Sequence, residues 1–113
     1  MLKGLIIKAP WIDYILSGQK TWEIRGSNTK TRGTIYLIKS GSGKVYGSAD
    51  IVDCIELSLE QYQKTSCFHK IPVESLKELP YKRTYAWVIR NAKYFAKPVD
   101  YVHPRGAVIW VNI

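Results

Sequence analysis

Two hydrophobic periods share this chain. Gly4 to Lys8 is a compact apolar run of strand length, within an N-terminus, Met1 to Ile7, that reads as a first strand. Pro10 then suits the first position of a helix, and Trp11, Ile12, Ile15 and Leu16 recur at helical spacing before Gly18 stops it. From Thr21 to Arg25 the period drops to two. Thr21, Glu23 and Arg25 point one way, Trp22 and Ile24 the other, and if the tryptophan face is core the polar face looks into solvent or a cleft.

Beyond Arg25 runs a polar loop, Gly26 to Gly33, containing Asn28, Lys30 and Arg32. Thr34 to Lys39 is β-branched and aromatic, and the turn Ser40-Gly41-Ser42-Gly43 joins it to Lys44 to Leu57 as a predicted β-hairpin. On its second strand Gly47 and Ala49 are small, which implies close backbone packing or room for a ligand. Ser58 with Gln61 has capping-box spacing for a helix over Leu59 to Lys64. Pro72 to Leu79 reads as one or two further helical turns, broken at Pro80. Thr84 to Arg90 is a strong strand, and Ala107 to Ile113 a closing one. Five or six short strands with short flanking helices predict an α+β fold, a compact mixed β-barrel closed in antiparallel fashion.

Composition narrows the class. A length of 113 residues predicts one domain over 1–113, and 46% hydrophobic content, with four Trp and eight Tyr, argues against disorder. The net charge of +8 is unevenly placed. Residues 1 to 49 carry eight Lys/Arg against two acids, residues 50 to 78 three against six, and residues 79 to 113 six against one. If the two basic ends meet, they form a surface suited to phosphates; otherwise the lysines serve solubility.

Several chemistries drop out. Cys54 and Cys67 form no CxxC pair and no ligand cluster with His69 and His103, so no metal site is expected, nor any cofactor. The glycines of 40–43 precede no Gly-Lys-Ser/Thr opening a helix, which excludes a P-loop. No segment approaches the roughly 20 apolar residues that span a bilayer. No membrane partner is expected, and the thiols should be reduced and partly buried in a cytoplasmic protein.

What remains concentrates at Ser17-Gly18-Gln19-Lys20-Thr21-Trp22-Glu23-Ile24-Arg25. A lysine, a hydroxyl and a carboxylate this close can bind an anion, orient a nucleobase or perform acid–base chemistry; equally, such a face can be a solvated edge strand. Lys30, Arg32 and Arg105 are candidate phosphate contacts from loops, and Trp11 or Tyr36 a candidate stacking platform, although most aromatics in so small a chain must be core. His103 either touches phosphate or is a plain surface residue, and His69 reads as local structure.

The run Ile15 to Arg25 resembles the I-x-x-G-x-K-T-x-E-x-R signature of the ASCH domain family, a branch of the PUA-like β-barrels. Gly47 to Asp53, Lys97-Pro98-Val99 and Gly106 extend the likeness over nearly the whole chain. The resemblance implies RNA or nucleotide-like ligand binding in a cleft beside the signature, formed here by Lys20, Thr21, Glu23 and Arg25. Some members are described as nucleases. One small branch hydrolyses N4-acylated cytidine, using the signature lysine, a threonine three residues later and a distant glutamate. Lys20 matches the lysine, but Glu23 stands at the threonine position. Thr21 is the only nearby hydroxyl, and Glu56, Glu60 and Glu74 are alternatives for the third group. If the chain is an enzyme, its implied catalytic set is therefore Lys20, Glu23 and Thr21, acting as an amidohydrolase or, less directly, a ribonuclease.

Overall fold

A computed structural model describes residues 2–113; Met1, which the sequence reading includes in the first strand, lies outside them. The elements follow in the order β1 (Lys3–Ile7), α1 (Trp11–Leu16), β2 (Trp22–Arg25), β3 (Gly33–Lys39), β4 (Lys44–Leu57), α2 (Leu59–Lys64), α3 (Ser66–His69), a 3₁₀ turn (Val73–Ser75), β5 (Thr84–Asp100) and β6 (Trp110–Asn112). All six strands join one sheet in the order β2-β5-β4-β3-β1-β6. Only β1 and β3 pair in parallel, which requires the crossover that α1 and β2 supply.

The hairpin β3–β4 forms as the turn residues predict, and the Ser58 capping box is complete, with Gln61 N donating to Ser58 Oγ and Ser58 N to Gln61 Oε1. Four expectations need correction. The sheet is mixed and six-stranded but does not close into a barrel. Its edge strands, β2 and β6, are four and three residues long and have no ladder between them. The sheet instead curls until a side chain spans the gap: Arg25 on β2 donates from Nη2 to the Ile6 carbonyl of β1 at 2.8 Å. The stretch Pro72 to Leu79 holds only the 3₁₀ turn, and the closing strand shrinks to three residues, with Gly106 at φ +81 in the loop before it. Conversely, β5 continues ten residues past the predicted Arg90, turning through a bulge at Asn91 (φ 56).

Apolar residues separate onto the two faces of this sheet. On one, Leu5, Ile7, Ile35, Leu37, Ala49, Ile51, Trp87 and Ile89 pack against Ile12, Ile15 and Leu16 of α1. Gly47 permits that contact, because a Cβ there would stand 2.1 Å from the Lys93 carbonyl oxygen and 2.6 Å from Leu16 Cδ2. The small residues of β4 thus serve packing. On the other face, Ile6, Ile38, Val45 and Val111 form a smaller cluster under Tyr36, Phe95 and Tyr101. A third cluster, Ile24, Leu57, Tyr62, Leu76 and Ala86, seats the segment after β4 beneath β2.

Candidate functional site

The signature segment is locked by backbone bonds before any side chain acts. Gly18, at φ +85, ends α1, with its N–H returning to the Ile15 carbonyl. Lys20 N donates to Tyr14 O, Thr21 N to Phe68 O, and Ile89 N to Thr21 O at 2.7 Å. This clamps the approach to β2 between α1, α3 and β5. Trp22, half-buried, stacks on Phe68 at 5.0 Å instead of entering the main core, while Ile24 is buried as expected.

On the opposite face three charged groups converge. Lys20 is 2% exposed and Glu23 6% exposed. Arg25 grips Glu23 Oε2 through Nε at 3.0 Å and Nη2 at 2.9 Å, its guanidinium lying 5.7 Å from the centre of the Trp87 ring. Glu23 Oε1 faces the Lys20 ammonium at 3.7 Å, beyond a direct hydrogen bond. Lys20 Nζ donates to the His69 carbonyl at 2.6 Å and sits 5.1 Å over the Trp11 ring. Burial pulls the Lys20 pKa down to about 8, against the opposing pull of Glu23.

His69 is the hidden support. Its Nδ1 accepts from Ile71 N at 3.1 Å, so its Nε2–H donates to the Tyr62 carbonyl at 2.7 Å and the ring is neutral. Burial pushes its pKa below the ordinary value. A fully buried imidazole stacked on Tyr62 thereby holds the carbonyl that orients Lys20. The sequence reading of His69 as local structure had no means of linking it to a lysine 49 positions away.

Above these groups opens a cavity of about 450 Å³, lined by Lys20, Glu23, Arg25, Ile24 and Trp11, by Tyr62, Ile71 and Ser75 from the segment after β4, and at its mouth by Lys8, Ser40, Pro80, Tyr81 and Val108. Such a volume lies within the roughly 300–1,000 Å³ of small-molecule sites. Tyr81 is half-exposed and rests on Gly26, where a Cβ would meet its ring at 2.7 Å.

The structure places the other candidates apart from this cavity. Thr21 does not line it, and both its backbone groups are spent on clamping. Arg32 bonds the carbonyls of Thr29 and Thr31 and lies 3.9 Å from Asp53. Lys30 and Arg105 are exposed on their loops and do not line it either. Of the alternative glutamates, Glu56 pairs with Arg83, Glu60 with Lys64, and Glu74 is exposed on the 3₁₀ turn; none lines the cavity. Tyr36 packs edge-on against Phe95 on the other face of the sheet. His103 is tied to Tyr101 Oη and the Ala107 carbonyl. Cys54 is half-buried, while Cys67, expected to be partly buried, is exposed; both are free thiols.

The model of the family described as "ASCH domain" matches residues 5–99, which contain every group of the signature segment. The chain belongs to the ASCH domain family. Among solved structures it is similar to the ASCH protein of Zymomonas mobilis, with a TM-score of 0.72 at 13% identity over 87% of this chain and 72% of that one. A Ser-to-Ala mutant of the same protein superposes at a TM-score of 0.75 with 14% identity, over 97% of this chain and 87% of that one. At such identities the likeness shows a shared ASCH fold. No curated protein matches. The PUA-like architecture expected from the signature is therefore present, as an open sheet.

Proposed function

We propose that this ASCH domain binds a nucleobase-bearing ligand, RNA or a nucleotide, with the base edge directed at Lys20 and Glu23. The observation that carries the reading is the Lys20–Glu23 pair itself. A buried ammonium with donors to spare stands beside a carboxylate oxygen that accepts no direct hydrogen bond, 3.7 Å apart, at the wall of a cavity. A planar edge with an acceptor next to an N–H meets both groups at once, as nucleobase edges do. Arg25 is spent on Glu23 and Ile6, so it orients the carboxylate and leaves phosphate to Lys8 at the mouth. Trp11 and Tyr81 supply apolar walls.

Calorimetric titration with the four ribonucleoside monophosphates and a short single-stranded RNA tests this. Binding that falls at least about tenfold in both Lys20→Gln and Glu23→Gln is expected from the loss of charge-assisted hydrogen bonds. Absence of binding, or binding indifferent to both substitutions, would overturn it.

A second reading, amide hydrolysis of an N4-acylcytidine-type nucleoside, draws support from one feature. An amine whose pKa is lowered to about 8 beside a carboxylate is suited to proton transfer near neutral pH. Here Glu23 would orient water and Lys20 would supply or relay the proton, since Thr21 does not line the cavity. Release of free cytidine from N4-acetylcytidine, abolished in Lys20→Gln, would favour it over binding alone.

A further inference from the structure

The sheet face opposite α1 carries features that the cleft does not use. Cross-strand register sets Tyr36, Ser48 and Lys93 in one row across β3, β4 and β5, and Thr34, Asp50 and Arg90 in the next. Beyond the first row Tyr36 meets Phe95 edge-to-face, with ring centres 5.9 Å apart and planes at 70°. These two rings and Tyr101 line a second cavity of about 370 Å³, floored by Val45 and edged by Asp100. Tyr101 is held in place by its Oη–Nδ1 hydrogen bond to His103 at 2.6 Å.

Charge on this face is asymmetric. Asp50 is occupied by Thr34 and Asn91, and Asp100 by Lys44 at 2.7 Å. Arg90 and Lys93 are exposed and, among the described residues, form no ion pair. Fixed aromatic rings in a shallow apolar hollow beside exposed cations that form no ion pair match a polyanion that also carries flat apolar faces. Single-stranded nucleic acid combines the two, since bases stack on the rings while phosphates meet the cations.

We infer that this outer face is a second contact surface for single-stranded RNA, with a base seated among Tyr36, Phe95 and Tyr101 and the neighbouring backbone along Arg90 and Lys93. The inference shares the ligand class proposed for the cleft but none of its residues, and it stands or falls separately.

The test is an anisotropy titration of the full chain with labelled single-stranded RNA at two salt concentrations. The variants are Phe95→Leu, which keeps apolar packing and removes the aromatic face, and the surface substitutions Arg90→Glu and Lys93→Glu, with Lys20→Gln marking the cleft. Thermal melting confirms that each variant is folded. The expected result is a loss of about tenfold in RNA affinity for Phe95→Leu. The charge variants should show a loss of similar size and a salt slope flatter by about one per lost phosphate contact. These losses should be present in the Lys20→Gln background too, while mononucleotide binding in the cleft stays unchanged. Folded Phe95→Leu and Lys93→Glu proteins with wild-type RNA affinity would overturn the proposal. So would variants that lose sedimentation with phosphatidylserine-containing vesicles while keeping RNA affinity, which would assign the face to an anionic membrane surface.

Discussion

The two faces of the sheet use charge in opposite ways. In the cleft, Lys20, Glu23 and Arg25 are largely withdrawn from water, with Arg25 bonded to Glu23, Lys20 3.7 Å from its other oxygen, and the two cations anchored on main-chain carbonyls. On the outer face, Arg90 and Lys93 remain in water, and Asp50 is satisfied by neutral groups. Burying a charge costs several kcal/mol, so the cleft residues are tolerable only as a set and in one geometry. Exposed charges cost little, and they act through the field they create. On the function proposed for it, the cleft would discriminate between ligands, and on the inference drawn above the outer face would attract them.

The sharpest way to break the contrast is Glu23→Leu. It leaves the buried Lys20 ammonium and the part-buried Arg25 guanidinium with no carboxylate, and a stability loss of about 3–5 kcal/mol is expected, read by denaturant unfolding. Lys93→Glu, which reverses a charge of the outer face, should change stability by under about 0.5 kcal/mol. Equal effects in the two would remove the distinction.

Lys20→Met sharpens it from the other side. Folding lowers the Lys20 pKa from 10.5 to about 8. Between those values the unfolded chain binds more protons than the native one, so the Lys20 contribution makes stability rise with pH through that window. Below pH 8 the buried ammonium opposes folding in full. Lys20→Met should therefore be more stable than the parent at pH 7, by roughly 1–2 kcal/mol, and should lose the rise between pH 8 and 10, while ligand affinity collapses. Chemical denaturation across pH checks the first part and calorimetry the second.

For the parent, affinity for a base acceptor that needs the ammonium should be flat up to pH 8 and then fall by up to about tenfold per unit. Titrations from pH 6.5 to 9.5 would show this, with Lys20→Gln, which lacks the ammonium, as the reference. A smaller effect is expected from Gly26→Ala. The added methyl meets the Tyr81 ring, which can swing because it is half-exposed, so stability should change by about 1 kcal/mol and nucleotide affinity by a few-fold.

Much of the cleft was legible in the sequence because its core is local. Alternation on a four-residue strand is enough to align Glu23 with Arg25, and the Gly18 turn to deliver Lys20. Thr21 shows the limit of that reasoning, since it precedes β2 and does not share the cavity with Glu23. The remaining walls come from positions far along the chain: Tyr62, Ser75 and Tyr81 lie in a segment whose packing is set by Leu57 and Leu76 docking beneath Ile24. No periodicity announces such a contact. β5 was read short for a related reason. Past Arg90 the chain is largely exposed and interrupted by Pro98, and its strand character there is supplied by pairing with β4 through bulges. The barrel failed because closure depends on the lengths of edge strands, and β6 shrinks to three residues once Ala107 to Ile109 are taken into the loop before it.

The Arg25 bridge to the Ile6 carbonyl carries one more implication. In a closed barrel the wall beside a cleft is a continuous ladder, and parting it means breaking several main-chain bonds together. Here the hydrogen bond that joins β2 to β1 comes from a single guanidinium, which also orients the Glu23 carboxylate. The seam therefore hangs on the same side chain that orients Glu23, so whatever loosens it also releases that carboxylate.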